Sequence, residues 1–390
     1  MKCTLMNKNT EVLTAEYESE LASFTKIYEI KNIEYAPVIL EKSLKNNKND
    51  ISNLTSWFKG RGIPSWRDDL DILLAKLNIN TPEELLNKAF GLSLSDQYWV
   101  KPAESKVEYK DINFFTHDFN SADFTNATFS NSNDFSTKIS LISPNNTTDG
   151  RLKKTWIIEK GTRYLLKGGY KSEIIQPFNE ALATMICEKL GFNHTKYEIT
   201  TVSNKIVSKC PCFINENTEL ITAHQILHGM PKENAYEEYI KILEKHNIQN
   251  AREKIENMFI LDYIILNEDR HLNNFGIIRD VNTLEWIDVA PIFDSGESLK
   301  IIDYNDEEVI INGEARFFYN IEPFDNITKY VKDFSRFDLS KLDSVPEDFD
   351  NLLHEYQNIT HMTDNRINKI CTLLYSCLLY TSPSPRDTER

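Results

Sequence analysis

The stretch NEDRHLNN, residues 267–274, decides the fold that we expect of this chain. It comes directly after a segment with helical periodicity, residues 250–266, and directly before a predicted hairpin, residues 275–293. The hairpin ends in the run PIFDSG, which contains Asp294. Because a hairpin brings its two ends together, we expect Asp294 to return to the neighbourhood of Asn274.

Asp269, Asn274 and Asp294 are side chains of the kinds that phosphoryl transfer requires. A carboxylate must orient and deprotonate the attacking hydroxyl, and oxygen ligands must hold magnesium on the nucleotide phosphates. Protein kinases place the catalytic Asp five residues before a metal-binding Asn, and a second metal-binding Asp in a D-x-G turn further on. This spacing predicts Asp269 as the base and Asn274 and Asp294 as magnesium ligands. An ordinary Asp- and Asn-rich turn is the alternative for each motif taken alone.

Lys167 and Glu180 supply the complement in the N-terminal half of the chain. Lys167 ends the second strand of a predicted hairpin, residues 156–167, where a kinase lysine would contact the α- and β-phosphates. Glu180 lies in the first turns of the following helix, where it would orient that lysine. Gly150 and Lys154 precede the hairpin in a candidate phosphate loop that lacks the pattern G-x-G-x-x-G. Ordinary surface positions and a flexible loop are the alternatives for these residues.

The order of elements predicts an α+β fold class, a two-lobed protein-kinase-like fold with a strand-rich N-lobe and a helical C-lobe. We expect an N-terminal accessory segment at residues 1–100, the N-lobe with phosphate loop and hinge at 101–215, and the helical C-lobe with catalytic loop at 216–377. The Asn-, Ser- and Thr-rich stretch 114–150 is typical of a loop. Residues 378–390 form a Pro/Ser/Arg tail that breaks the helical pattern, and we expect it to be non-native.

The composition restricts the class of protein. The 390 residues are 41% hydrophobic and 26% charged, which is the balance of a soluble globular protein, and the formal net charge is −15. An acidic chain is a poor binder of nucleic acid, so we expect no direct nucleic-acid contact. Neither a signal peptide nor a membrane span is indicated, so we expect no membrane contact. The six cysteines lack the spacing of a disulfide framework, which together with the missing export signal favours a cytoplasmic location.

These motifs resemble those of the HipA-like serine/threonine kinases, the toxin kinases of bacterial toxin–antitoxin systems. The likeness runs from Gly150 to about Tyr375. Its most specific part is D-R-H-x-x-N at residues 269–274 followed by A-P-x-x-D at residues 290–294. Ordinary protein kinases place the Arg before the Asp, as H-R-D. The front of the chain resembles a variant group from low-GC Gram-positive bacteria, and does not resemble the small strand-rich N-terminal domain of the founding members.

The resemblance implies ATP and Mg²⁺ as cofactors and assigns further residues to the nucleotide. His271 would lie near the nucleotide, and Cys210–Phe213 would form a hinge whose backbone meets adenine. A structural loop histidine and an edge strand with Pro211 are the alternatives. The full set expected at the nucleotide is Gly150, Lys154, Lys167, Glu180, Cys210, Cys212, Phe213, His271, Asn274 and Asp294.

By analogy with HipA-like kinases that modify a loop serine in themselves, the polar and mobile stretch 141–150 is a candidate for autophosphorylation. Its hydroxyls are Ser143, Thr147 and Thr148. A phosphate there adds about −2 charge and would repel ATP or eject the loop. A simple solvated linker is the alternative.

The expected function is transfer of the γ-phosphate of ATP to a serine or threonine hydroxyl of a protein. If the chain is a toxin, an antitoxin of the helix-turn-helix type is the expected partner. A small-molecule kinase acting on aminoglycosides or sugars is the nearest alternative, because the fold does not fix the substrate. A non-catalytic nucleotide-binding interaction module is an alternative from another class, and the presence of Asp269, Asn274 and Asp294 counts against it.

Overall fold

The computed structural model of the chain describes residues 1–130, 141–170, 174–300 and 313–381. The chain forms two compact units. Unit 1 consists of residues 1–167, 211–221 and 277–287, and unit 2 of residues 168–210, 222–276 and those from 288 onward. The domain boundaries expected from the sequence stay a prediction. None of the helices in the described residues combines the length and the apolar character that a bilayer crossing requires.

Unit 1 begins with a four-stranded antiparallel sheet. Its strands are β1 (Lys2–Asn7), β2 (Thr10–Glu18), β3 (Ser23–Ile30) and β4 (Tyr98–Pro102), in the order β3-β2-β1-β4. β1 is central because it pairs with β2 on one side and with the distant β4 on the other. The front of the chain therefore contains a four-stranded sheet, and its expected difference from the founding family members stays a prediction.

Helices cover the apolar side of this sheet. They are α1 (Val38–Asn46), α2 (Ile51–Lys59) and α4 (Pro82–Lys88), whereas α3 (Leu70–Leu77) belongs to a separate apolar cluster. Leu40 of α1 and Phe58 of α2 are buried in one cluster with Leu5 of β1. Thr81 caps α4 by accepting a hydrogen bond from the backbone N–H of Glu84, which agrees with a helix start at this Thr-Pro pair.

The rest of unit 1 leads to the predicted hairpin. It contains α5 (Tyr109–Ile112), α6 (Ser121–Phe129), β5 (Lys154–Glu159) and β6 (Thr162–Gly168), and β5 pairs antiparallel with β6 as the sequence predicts. α6 lies in the stretch expected to be loop, so that expectation is wrong there. The cause is tertiary, because Phe124 and Ala127 of α6 are buried in one cluster with leucines of α3.

Unit 2 is mainly helical and contains the NEDRHLNN stretch and the helix that precedes it. The elements of unit 2 are α7 (Gln176–Leu190), β7 (Glu198–Val202), β8 (Lys205–Pro211), α8 (Ala223–Leu227), α9 (Ala235–Lys245), α10 (Ala251–Ile264), β12 (Glu314–Phe317), β13 (Asn320–Pro323), α11 (Phe324–Thr328), α12 (Val345–Glu355), α13 (Gln357–Thr360) and α14 (Asp364–Thr381). Gly191 has a φ of 73° and ends α7, as expected of a left-handed helix C-cap.

Three short strands form a sheet in the order β11-β10-β9. They are β9 (Thr218–Thr222), β10 (Gly276–Asp280) and β11 (Trp286–Val289). β10 and β11 are the hairpin expected after residue 274, and the backbone N–H of Ala290 donates to Gly276 O at 2.9 Å to close its open end.

The C-terminal helix is longer than expected. α14 continues through Leu378 and Leu379 to Thr381, so the helical pattern does not break at residue 378. Leu374 and Cys377 are buried, so the apolar face of the helix continues up to the residue before the expected tail. Residues 382–390 of the expected tail lie outside the described residues.

Candidate active site

A buried ion pair in unit 2 fixes the loop that follows α10. The Arg270 guanidinium donates from Nε and Nη2 to the two carboxylate oxygens of Asp262, both at 2.8 Å, and both side chains are 3% exposed. Burial lowers the pKa of Arg270, but the adjacent Asp262 outweighs burial and the pKa lies above its ordinary value. Asn267 also donates to Asp262 Oδ1 at 2.8 Å. A bidentate pair defines orientation as well as charge, so Asp262 positions the loop that carries Asp269.

Asp269 and Asn274 are joined across this loop. The side-chain nitrogen of Asn274 donates to the backbone carbonyl of Asp269 at 3.0 Å. This bond orients the Asn274 amide and leaves its Oδ1 as the atom that can contact a cation. Asn274 is buried, whereas the Asp269 side chain is 36% exposed. An acceptor from solution can therefore reach the Asp269 carboxylate.

Asp294 returns to this loop, as the hairpin predicts. Nη1 of Arg270 donates to the carbonyl oxygens of Asn274, at 3.0 Å, and of Phe293. One guanidinium thus ties the two chain segments together. Asp294 has a φ of 57°, a left-handed conformation that Asp adopts more readily than most side chains and that is common in functional turns.

Helix α7 holds the turn that follows Asp294. Glu180 is 1% exposed and accepts a hydrogen bond at Oε2 from the backbone N–H of Ser295 at 3.1 Å. Ser295 Oγ accepts a further hydrogen bond from Arg270 at 2.9 Å. Glu180 therefore supports the Asp294 turn, a role that the sequence did not suggest. Its pairing with Lys167 stays a prediction.

The donor set of Asn274 and Asp294 suits a hard divalent cation. Magnesium prefers oxygen ligands and is usually held by one or two carboxylates together with substrate phosphates and water. Asn274 offers an amide oxygen, since its nitrogen is turned toward Asp269 O, and Asp294 offers a carboxylate at the adjoining turn. These two residues fit a magnesium ion that is bound together with a nucleotide.

Unit 1 contains the two lysines expected at the phosphates. Lys154 of β5 lies directly opposite Lys167 of β6, and Lys167 is 4% exposed. Two lysines at opposed positions of a hairpin bring positive charge to one place, which suits an anion such as a phosphate. Gly150 has a φ of 91°, and a Cβ atom there would lie 2.6 Å from Lys154 Nζ. Glycine at this position leaves room for the ammonium group.

The hydroxyls expected to be autophosphorylated are buried, so the expectation of a mobile loop is wrong. Ser143 has no exposed surface, Thr148 is 5% exposed and Thr147 is 9% exposed. Thr147 Oγ1 donates to a backbone carbonyl at 2.8 Å, and Arg67 donates to Thr148 Oγ1 at 2.8 Å. The polar composition suggested solvent, but these side chains instead satisfy buried partners.

The expected hinge coincides with a connection between the units. The chain passes from unit 2 to unit 1 between Cys210 and Pro211. Cys210 is buried, and Cys212 and Phe213 are half-buried. The backbone N–H of Cys212 donates to Arg163 O at 2.9 Å, so this donor is already used. Contact of these residues with adenine stays a prediction.

His271 lies beside Asp269, with 3.8 Å between Nε2 and Oδ2. Its Nδ1 accepts a hydrogen bond from the backbone N–H of Asn273 at 3.2 Å, which places the proton of a neutral ring on Nε2. A position near the nucleotide stays a prediction for this residue.

Several site residues were not predicted from the sequence. Asp262 anchors the loop, Tyr197 accepts a hydrogen bond from the backbone N–H of Asp294 at 3.3 Å, and Arg316 lies 3.2 Å from Asp269 Oδ1. None of these three belongs to a recognisable motif. Arg270 is the middle residue of D-R-H, and its place in that motif was the available signal.

Known proteins share this architecture. Residues 137–361 match the family model described as the HipA-like C-terminal domain. The serine/threonine-protein kinase CtkA of Helicobacter pylori strain J99 is 24% identical over 235 residues, which cover 51% of this chain and 72% of CtkA. The crystal structure of CtkA aligns with 57% of this chain and 89% of that chain, at 20% identity and a TM-score of 0.42.

A chain in the structure of the Shewanella oneidensis MR-1 toxin–antitoxin system, which holds HipA, HipB and operator DNA, aligns with 97% of this chain and 96% of its own length. The TM-score is 0.57 at 11% identity, so this likeness concerns the fold. It confirms the α+β, kinase-like fold class expected from the sequence. Because the family model matches more than half of its residues, the chain belongs to the family with a HipA-like C-terminal domain.

Proposed function

We propose that the chain is an ATP- and magnesium-dependent serine/threonine protein kinase. Membership of the HipA-like family and the likeness to the kinase CtkA support a kinase-like enzyme. The observation that carries the proposal is the link made by Arg270, which joins the loop of Asp269 and Asn274 to the turn of Asp294. Three side chains that kinase chemistry requires are thereby gathered in unit 2.

Asp269 acts as the base in this proposal. Its partly exposed carboxylate orients the acceptor hydroxyl and takes its proton. The hydroxyl oxygen forms a bond to the γ-phosphorus, the bond from that phosphorus to the β,γ-bridging oxygen breaks, and ADP leaves. Removal of a general base usually lowers turnover by about two to four orders of magnitude.

Asn274 and Asp294 hold the magnesium ion, which supplies positive charge to the phosphates when bound. Glu180 keeps the Asp294 turn in place through the Ser295 N–H.

Gly150, Lys154 and Lys167 contact the phosphates in this proposal, which the opposed lysines of the β5–β6 hairpin support. The ammonium groups of Lys154 and Lys167 supply local positive charge for the phosphates in a chain whose net charge is −15.

The test uses γ-labelled ATP with magnesium and a generic protein acceptor such as casein, and in parallel a set of aminoglycosides and sugars. We expect label on serine or threonine of the protein acceptor, and no label with Asp269→Asn. Label on a small molecule alone would contradict a protein kinase. Absence of label on every acceptor would contradict the kinase proposal as a whole.

A small DNA-binding antitoxin is the partner that we propose if the chain is a toxin. The support is the solved toxin–antitoxin structure of HipA, HipB and operator DNA, one chain of which has the same fold as this chain. Co-expression with the product of a neighbouring helix-turn-helix gene should give a complex that survives gel filtration. Separate elution of the two proteins would contradict the partnership.

A further inference from the structure

We infer that Arg316 is a catalytic arginine of this site, an inference that rests on the proposed kinase function. In the resting protein it pairs with Asp269, and during transfer its guanidinium contacts the phosphoryl group that moves from ATP to the acceptor. Three observations in unit 2 support this role: a fixed backbone, an exposed side chain and the commitment of the neighbouring cations to other partners.

The backbone of Arg316 is held beside the catalytic loop. Its N–H donates to Glu268 O at 3.1 Å, one residue before the base. The next residue of β12, Phe317, is 5% exposed and stacks on Tyr330 with 3.9 Å between ring centroids. Because Phe317 is anchored in this way, β12 keeps the Arg316 Cα in a defined position next to Asp269.

The side chain of Arg316, in contrast, is free to change partners. Its Nε lies 3.2 Å from Asp269 Oδ1, and the two side chains are 57% and 36% exposed. An exposed ion pair of this kind has a small net stability, so another anion can replace the carboxylate. The pair also occupies one of the two carboxylate oxygens of Asp269.

Other cations near the base have other partners. Arg270 is buried and bound to Asp262. Lys300 lies between Glu268, at 2.9 Å, and Glu297, at 3.1 Å. In the described part of unit 2, Arg316 is therefore the exposed guanidinium that the structure places on the base.

The chemistry of transfer explains why the partner should change. When the acceptor hydroxyl gives its proton to Asp269, the carboxylate becomes neutral and its hold on Arg316 weakens. In the same step negative charge is spread over the equatorial oxygens of the phosphoryl group between the hydroxyl oxygen and ADP. A planar guanidinium donates two parallel N–H groups to such oxygens, which a lysine cannot do.

The test compares Arg316→Gln and Arg316→Lys with the control Lys329→Gln, an exposed cation whose ammonium donates to the Asn326 side chain. We expect Arg316→Gln to lower kcat about 10²-fold, the usual scale for one lost transition-state donor, with the KM for ATP changed less than about threefold. Arg316→Lys should recover only part of the rate. The control should match the wild type.

A second measurement separates transition-state contact from a structural role. Binding of ADP, magnesium and aluminium fluoride, a mimic of the transferring phosphoryl group, should weaken at least about tenfold in Arg316→Gln, while ATP affinity stays the same. Unchanged kcat in Arg316→Gln would overturn the inference and leave the kinase function standing. Increased kcat would also overturn it, since Arg316 would then only block the base. A wild-type chain without transfer activity would remove both proposals.

Discussion

Arg270 uses its guanidinium on both sides of the candidate site. Toward α10 it forms the bidentate pair with Asp262, and toward the hairpin it reaches Asn274 O, Phe293 O and Ser295 Oγ. Removal of one partner from a buried ion pair leaves an uncompensated charge, which is strongly destabilising. The geometry of the proposed metal-binding residues therefore depends on a residue that need not touch substrate.

Arg270→Lys should be destabilising because an ammonium group cannot bridge all these acceptors. We expect the free energy of unfolding to fall by about 1–3 kcal/mol, measured by urea denaturation, because buried acceptors lose their donor while the positive charge is kept. Arg252→Lys is the matched control, since its pair with Glu237 lies nearer the surface and should contribute less than about 1 kcal/mol. An Arg270→Lys variant as stable as the wild type would contradict the role of Arg270 in holding the loop and the Asp294 turn together.

We expect His224 to make the stability of the protein depend on pH. Burial lowers the pKa of His224 below its ordinary value of 6.5, and the nearby His228 and His271 lower it further. The rings of His224 and His228 lie 6.0 Å apart. The unfolded chain therefore binds this proton more strongly than the folded protein does, so folding stability decreases as the pH falls below about 6.5.

Replacement of this residue by an uncharged one should reduce that pH dependence. We expect the melting temperature of His224→Gln to fall less than that of the wild type when the pH is lowered from about 7.5 to about 5.5. His354→Gln is the control, because His354 lies on α12 beside Asp350, in another part of the chain. If the melting temperatures of His224→Gln and the wild type fall equally over this pH range, the lowered pKa of His224 does not contribute to the pH dependence of stability.

At the scale of elements, the segment between α6 and β5 shows how polar composition can mislead. Its last part contains a 3₁₀ turn, Pro144–Thr147, whose residues are all buried. Asn146 donates to Leu85 O at 2.7 Å, and Asn145 Oδ1 accepts from the backbone N–H of Trp156. The polar side chains serve buried backbone groups, which a sequence pattern cannot reveal.

This burial predicts that the segment is not modified. After incubation with ATP and magnesium, peptides that contain Ser143, Thr147 and Thr148 should remain unphosphorylated by mass spectrometry, because a kinase must reach the hydroxyl and these have at most 9% exposure. Label on an added protein acceptor in the same tube serves as the positive control. Phosphate on any of the three would show that the segment opens in solution.

The elements that the sequence predicted are those with local patterns. α7 between Pro177 and Gly191, the β5–β6 hairpin and α10 each follow from periodicity and caps in one contiguous run. The sheet at the front was not predicted, although β1, β2 and β3 pair with their neighbours in sequence, and its fourth strand β4 pairs with β1 from far along the chain. Pairing at such a separation is decided by tertiary packing, and a short apolar run does not specify it.

In the candidate site, too, the sequence predicted the residues that lie in local motifs and missed those that are brought in by tertiary packing. The spacing of Asp269, Asn274 and Asp294 indicated which side chains belong together, since motif and hairpin are local. The anchoring by Asp262 and the contact of Arg316 with Asp269 depend on how helices and strands are placed in unit 2. No sequence pattern predicts such contacts.

At the scale of the whole molecule, the residues of the proposed function are distributed over both units. Unit 1 contains Gly150, Lys154 and Lys167, whereas unit 2 contains Asp269 and the two proposed magnesium ligands, Asn274 and Asp294. The net charge of −15 opposes the binding of a nucleotide, so affinity must come from local groups and from the metal. Replacements in the base and in a metal ligand should therefore fail in different ways.

The most direct test of the account measures ATP binding by calorimetry, with and without magnesium, together with phosphoryl transfer from ATP to a protein acceptor. Asp269→Asn should bind ATP and magnesium like the wild type and transfer about 10²- to 10⁴-fold more slowly, since only the base is lost. Asp294→Asn should lose both the magnesium dependence of ATP binding and the transfer, because a hard cation loses an anionic oxygen ligand. Full transfer by Asp269→Asn would contradict the kinase assignment, and unchanged magnesium dependence in Asp294→Asn would contradict the metal site.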